Sequence, residues 1–319
     1  MIATISVVFL HTSSGLLDTR EIDNQMVRFA LSCEKYLLEY AVPLFVLISG
    51  ALFFNPSKSI NYSKLIHKNI KRIVLALLFF GFPMCLMEVF FTDDLRLEGV
   101  LRASLNFITG RCWNHMFYLY MLIGLYLLTP VLKPFLINCN NRDLGLSLVT
   151  MFVLSSLLPT LGAYGVRIGS YMIIGTPYIF IYMLGYVLAW RIDETVIKNG
   201  WCWGIVFVCA AIVVIKSWLG IKSVQYIDPM LILMASAIFL LAKNYQVALT
   251  IAERFVPYSF GIYIIHPVFT NLAYKLFDIN EYQVYKPIYY LLWGTLFLLL
   301  SWLSVWIMLR IRPLKEYVL

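Results

Sequence analysis

Three of the chain's four histidines stand among apolar residues, where an ionisable side chain is costly and often serves a function. His11 follows Ile2–Leu10, a run whose only polar side chains are the hydroxyls of Thr4 and Ser6, and it precedes Thr12, Ser13 and Ser14. Counted from Met1, a helical rise of ~1.5 Å per residue places it ~15 Å into a ~30 Å hydrocarbon core. Two readings stand. One is a helix-end histidine hydrogen-bonded to serine or backbone. The other is a general base, because an imidazole with an ordinary pKa of about 6.5 stays neutral yet basic near physiological pH. His266 ends the stretch Tyr-Ser-Phe-Gly-Ile-Tyr-Ile-Ile-His, with Tyr263 three residues before it and so able to share its helix face. His115 opens His-Met-Phe-Tyr-Leu-Tyr, which includes Tyr118, and is expected near the outer interface, where aromatic residues gather. For His115 and His266, with Tyr118 and Tyr263, a substrate-contacting or hydrogen-bonded structural role fits better than catalysis. Glu39 either orients His11, binds an acceptor or is an interfacial carboxylate. The segment Lys64–Arg72, Lys-Leu-Ile-His-Lys-Asn-Ile-Lys-Arg, is either positive-inside charge on lipid headgroups or a cradle for an anionic cytosolic ligand. Its His67 reads as solvated.

The elements that carry these residues follow from composition. Of 319 residues, 61% are hydrophobic and 13% charged, with a mean hydropathy of +0.81. Soluble domains hold roughly 45–50% apolar and about 25% charged residues, so a soluble enzyme, a disordered chain and a disulfide scaffold are excluded. The apolar runs are continuous and not alternating, which excludes a β-barrel. They fall at 1–17, 36–54, 73–91, 116–136, 144–160, 171–190, 201–219, 228–242, 258–277 and 288–309. The expected fold is an all-α integral membrane bundle of about ten transmembrane helices, a single polytopic domain over 1–319. Glycines and prolines within the runs, Pro43 and Gly185 among them, are read as kinks or sites of close helix packing.

An even number of spans puts both termini on one side. The segments on that side hold 14 of the 25 Lys and Arg residues, Lys58–Arg72 carrying the bias, and this predicts that both termini are cytoplasmic. The net charge of +8 is therefore topological, and no nucleic-acid partner is expected. Six cysteines are scattered without a metal or disulfide spacing. Cys85 and Cys209 read as small buried hydrophobes, Cys33 and Cys112 as residues of outer loops between which a bridge stays open without support from spacing, and no metal site is expected. There is no Walker loop, GxGxxG or HExxH. Met1 leads straight into apolar residues, so a cleavable signal peptide is not expected.

Four patches in this order, "IATISVVFLH" ending at His11, "AVPLFVLISGALF" from Ala41, "HMFYLYMLIGLYLLTPVL" from His115 and "YSFGIYIIHPV" from Tyr258, together with "KNIKRIV", resemble the acyltransferase-3 family of bacterial membrane acyltransferases. The likeness is to its short members, which acylate surface polysaccharides. It implies a ten-span bundle, an acyl-CoA donor, His11 as the catalytic residue and donor binding by Lys71 and Arg72. The family usually carries an arginine about three turns before the histidine. Here that position falls at or before Met1, which predicts a native start further upstream.

The expected reaction is transfer of an acyl group, acetyl above all, from acetyl-CoA to a hydroxyl of a surface polysaccharide or lipid-linked glycan. Ser49 as an acyl-carrying nucleophile is a minor alternative. The expected location is the bacterial inner membrane, multi-pass, among membrane lipids and with polysaccharide-assembly proteins as possible partners. The rival class is a transporter or exporter of glycan precursors with His11 and His266 lining its path. Transporters often show matched repeats, and the sequence shows none.

Overall fold

The computed structural model describes residues 1–19, 22, 24–92, 96–111, 113–166, 177–193, 197–245, 249–276 and 287–318. Among them every regular element is helical, as the backbone of a lipid-embedded chain requires. The helices are α1 (Ile2–Thr19), α2 (Gln25–Leu38), α3 (Ala41–Phe53), α4 (Tyr62–Phe91), α5 (Leu97–Ile108), α6 (Phe117–Asn138), α7 (Asn141–Ala163), α8 (Tyr178–Arg191), α9 (Asn199–Trp218), α10 (Pro229–Asn244), α11 (Leu249–Leu276), α12 (Pro287–Met308) and α13 (Arg312–Tyr317).

Among the described residues, each of the ten predicted runs falls on helix, residues 171–176 and 277 lying outside them. Six stretches are long and apolar enough to cross a membrane: Gln25–Phe53, Tyr62–Phe91, Phe117–Asn138, Asn141–Ala163, Asn199–Trp218 and Tyr290–Met308. The apolar parts of α1, α8 and α10 (Ile2–Gly15, Tyr178–Arg191 and Pro229–Asn244) are shorter. Helix α11 has 28 residues but is more polar, with Glu253, Arg254, His266 and Asn271 along it.

Two elements depart from the expected pattern. The second run begins earlier than position 36, because α2 leads into α3 with a break at Glu39 and Tyr40. Pro43 explains the break: it has no amide proton to give the carbonyl four residues back, that of Glu39. Helix α5 was not anticipated. Its small residues Gly99 and Ala103 face inward, and Ala103 and Phe107 pack on Cys85 and Val89, while Leu97, Leu101, Leu105 and Ile108 face outward. The helix is amphipathic but only 12 residues long, with Glu98, Arg102 and Asn106 along it, so it offers no continuous apolar run to read as a span.

By its contacts the chain divides into two units. The first is Met1–Ser59 with Thr129–Arg254, the second Ile60–Leu128 with Phe255–Leu319. In the first, α3 and α8 cross in backbone contact. A β-carbon on Gly50 would collide with the Tyr182 carbonyl, and one on Gly185 with the Leu47 carbonyl, so each helix presents a glycine to the other's backbone. Two cations finish helix ends in this unit. Lys133 Nζ donates to the carbonyls of Phe53, Asn55 and Lys58 at 3.2, 2.8 and 2.6 Å. Arg191 donates from one terminal nitrogen to the carbonyls of Leu136, Ile137 and Cys139 and from Nε to the Tyr186 hydroxyl. Carbonyls left over at a helix C-terminus are thereby satisfied.

In the second unit, α4 contains two π-helical stretches, Leu65–Ile70 and Leu77–Gly81, on either side of Lys71–Ala76. Such wide turns often mark functional sites. Helix α13 rests on the Lys71–Ala76 segment.

Two cysteine expectations are corrected. Cys85 is buried, but it is disulfide-bonded and so more than a small hydrophobe. Cys33 lies within α2, not in a loop, and is a free thiol, as are Cys139, Cys202 and Cys209. Cys112 lies outside the described residues.

Candidate active site

The second unit gathers four of the residues singled out from sequence. His115 sits in the short 3-10 turn Asn114–Met116 that starts α6, and Tyr118 in the first turn of the helix itself. Tyr263 and His266 lie one turn apart on α11. The His115 and His266 rings are 5.9 Å apart, Tyr118 and Tyr263 5.3 Å, and His115 and Tyr263 6.2 Å, all between centroids. As the number rises along α6 it falls along α11, so the two helices run antiparallel here, and residues three apart on each form a ladder. The Tyr263 hydroxyl donates to the His115 carbonyl. His266 is fully buried, His115 4% exposed and Tyr118 and Tyr263 buried.

One hydrogen bond fixes a proton. His266 Nδ1 lies 2.9 Å from the Ile262 carbonyl oxygen. A carbonyl only accepts, so Nδ1 carries the hydrogen, and in the neutral ring Nε2 holds the lone pair. The imidazole therefore turns a basic nitrogen away from its own helix. Trp113 extends the cluster, its ring 6.0 Å from that of His115 and its Nε1 donating to Glu88 Oε2 at 3.0 Å.

Of the two cations, Arg72 meets α11 and Lys71 meets α13. Arg72 places its guanidinium 5.1 Å from the centre of the Phe260 ring, and Lys71 its ammonium 5.8 Å from that of Tyr317. Phe260, Tyr263 and His266 are spaced by three along the helix. The guanidinium end of the series is therefore about 9 Å along the axis from the imidazole end, six residues at ~1.5 Å each.

His11 and Glu39 belong to the first unit. His11 is half-buried and lies in mid-helix, in an 18-residue α1, which removes the helix-end reading. Its hydroxyl neighbours are turned to the backbone, Thr12 to the Val8 carbonyl and Ser13 to that of Leu10. Glu39, 3% exposed at the α2–α3 break, accepts a hydrogen bond from Ser223 at 2.7 Å. Five residues beyond Ser223, Asp228 is 4% exposed, pairs with Lys216 at 2.7 Å and caps α10 through Met230 N. Between them Tyr226, in the turn before α10, has its phenol pushed above the ordinary range by burial and by the Glu39 carboxylate. Tyr36, Lys216, Ser223 and Asp228 line a small pocket in this unit. Among the described residues no cluster of three or more His, Cys, Asp or Glu could hold a metal ion.

The family profile of the acyltransferase domain matches residues 1–309. The chain belongs to the acyltransferase-3 family. No curated protein and no solved structure matches it. The match spans the residues of both units discussed above except Tyr317, so the reaction class is acyl transfer carried out by a multi-pass membrane protein.

In this acyltransferase, sequence reasoning found the histidines and their tyrosine companions because each pair is local, at a spacing of three. It missed Trp113, Glu88, Asp228 and Lys216. For Asp228 a signal was present: Asp before Pro at a helix start is a capping pattern. Its partner Lys216 lies across a turn, and nothing in the spacing indicates that pairing.

Proposed function

We propose that the protein transfers an acyl group, acetyl in the first instance, from cytosolic acyl-CoA to a hydroxyl of a surface polysaccharide or lipid-linked glycan. The observation that supports this best is the arrangement along α11 in the second unit, with the Arg72 guanidinium at Phe260 and the paired imidazoles of His115 and His266 less than two turns further on. Lys71 and Arg72 take the donor's phosphates, for which exposed Lys and Arg side chains are suited. Glu39, His115, Tyr118, Tyr263 and His266 serve the acceptor, since buried carboxylate, phenol and imidazole groups recognise hydroxyls by hydrogen bonding.

His11 is the general base. It removes the proton from the acceptor hydroxyl as that oxygen attacks the thioester carbonyl. The tetrahedral intermediate collapses with cleavage of the carbon–sulfur bond, and the imidazolium returns its proton to the departing thiolate. The whole of 1–319 acts as one acyltransferase domain in the bacterial inner membrane, among membrane lipids, and polysaccharide-assembly proteins are the partners to be sought. Ten spans with both termini in the cytoplasm complete the reading. Two features support that orientation: the basic Lys58–Arg72 stretch at the start of α4, and the disulfide-bonded Cys85 towards its other end. Disulfides persist on the oxidising side of a membrane. Membership of an acyltransferase family speaks against the transport reading.

The test is His11→Ala, purified in the membrane-inserted form and assayed with labelled acetyl-CoA on glycans from its own membrane. General-base catalysis contributes ~10²–10⁴-fold, and a loss of that size is expected. Near-normal turnover would remove His11 from the mechanism. Mass spectrometry of surface glycans from a deletion strain identifies the acceptor.

A further inference from the structure

Lys71 and Arg72 are each held by an aromatic ring, Lys71 by Tyr317 and Arg72 by Phe260. Among the described residues neither forms an ion pair with a carboxylate. The difference matters for what the cations can do. A carboxylate partner would orient a cation and also cancel its charge. A ring face attracts it through the quadrupole and leaves the full positive charge in place. An exposed lysine otherwise loses rotamer freedom when it engages a ligand, so prior seating reduces that cost. Oriented, exposed and uncancelled cations suit a phosphate-bearing ligand.

Tyr317 lies beyond residue 309, where the family match ends. Its helix is nonetheless docked. Helix α13 contacts the Lys71–Ala76 segment, Val318 is 1% exposed, and Arg312 braces the turn through an ion pair with Glu316 at 2.8 Å. Tyr317 itself stays 53% exposed, so the ring holds Lys71 at a surface a ligand can reach.

We infer that Tyr317 is a positioning residue for the donor: its ring holds the Lys71 ammonium ready for a phosphate of acyl-CoA. This rests on the donor role of Lys71 stated above. Binding of acetyl-CoA to the purified full chain, in micelles free of anionic lipid, tests it through a cycle of Tyr317→Leu, Lys71→Ala and the double variant, with Tyr317→Phe as the conservative control. Tyr317→Leu is expected to raise the Kd roughly fivefold, the size of one exposed cation–π contact. Tyr317→Phe keeps the ring and is expected to leave the Kd unchanged. On the Lys71→Ala background Tyr317→Leu is expected to add nothing.

An unchanged Kd in Tyr317→Leu, or an equal loss with and without Lys71, overturns the inference. If Lys71→Ala itself leaves the Kd unchanged, the donor role of Lys71 fails first, and the two failures are told apart. If vesicles of phosphatidylglycerol distinguish the variants while acetyl-CoA does not, the ring serves a lipid headgroup and the inference falls.

Discussion

Replacing Gly185 by alanine sets two effects of opposite sign against each other. In an open helix the change is stabilising, because alanine has the better helix propensity by about 1 kcal/mol. Gly204, in the interior of α9 with nothing within 4 Å of an added methyl group, is such a site, and Gly204→Ala is expected to gain up to that amount. At Gly185 the new carbon meets the Leu47 carbonyl oxygen, with the carbon and Cα of the same residue at 2.9 Å. These are backbone atoms in the middle of α3 and cannot swing aside as a side-chain tip can. The helices must separate, and overpacking of this kind costs about 1–3 kcal/mol. Separation also strains the hydrogen bond of 2.9 Å between Tyr182 and Thr129 and the tilted stacking of Phe54 on Tyr182 at 4.5 Å. The steric cost exceeds the propensity gain, so Gly185→Ala is expected to lower stability by about 1 kcal/mol or more. Thermal unfolding of the purified protein in one detergent, with wild type, Gly204→Ala and Gly185→Ala side by side, reads the sign directly. A Gly185→Ala variant as stable as Gly204→Ala would refute the close crossing of α3 and α8.

Two further outcomes are expected. Lys71→Ala combined with Arg72→Ala should raise the apparent KM for acyl-CoA more than that for the acceptor. Cysteine accessibility should confirm unchanged orientation, and an unchanged donor KM would leave these residues as topological charge. Tyr263→Phe removes the donor to the His115 carbonyl while keeping the ring packing against Tyr118. It should cost about 1 kcal/mol of stability and raise the acceptor KM; an unaltered acceptor KM would separate this tyrosine from acceptor binding.

What the sequence reveals of this fold is what a single helix carries by itself. Continuous apolar runs marked the helices, because in lipid no other element closes its own hydrogen bonds. Tyr263 and His266 were legible as a pair because they are one turn apart. Their meeting with Tyr118 and His115 was not, since it depends on antiparallel packing of α6 against α11. Helix α2 was hidden by Arg28, Glu34 and Lys35, which interrupt its apolar run, and α5 by Glu98, Arg102 and Asn106, which do the same in a shorter segment. Charge was the least legible feature. Lys133 and Arg191 count as positive-inside residues, yet both are committed to carbonyls at helix ends. The sequence shows that they stand at the ends of apolar runs and not the partners that hold them.

The two π stretches that frame Lys71–Ala76 have a consequence for how the chain can change over time. Each wide turn accommodates about one residue more than an α-helical turn would, so it behaves as a tolerated single-residue insertion. Losing one residue from Leu65–Ile70 would let that turn close to an ordinary α-helical one, and the flanking stretches would keep nearly the faces they now present, because the residue lost is the one the wide turn absorbs. Losing one from Leu77–Gly81 would do the same downstream. The short basic segment can thus keep its aim through a single-residue change of length on either side. Lineages that differ in this stretch should differ by single residues in length as well as by substitution.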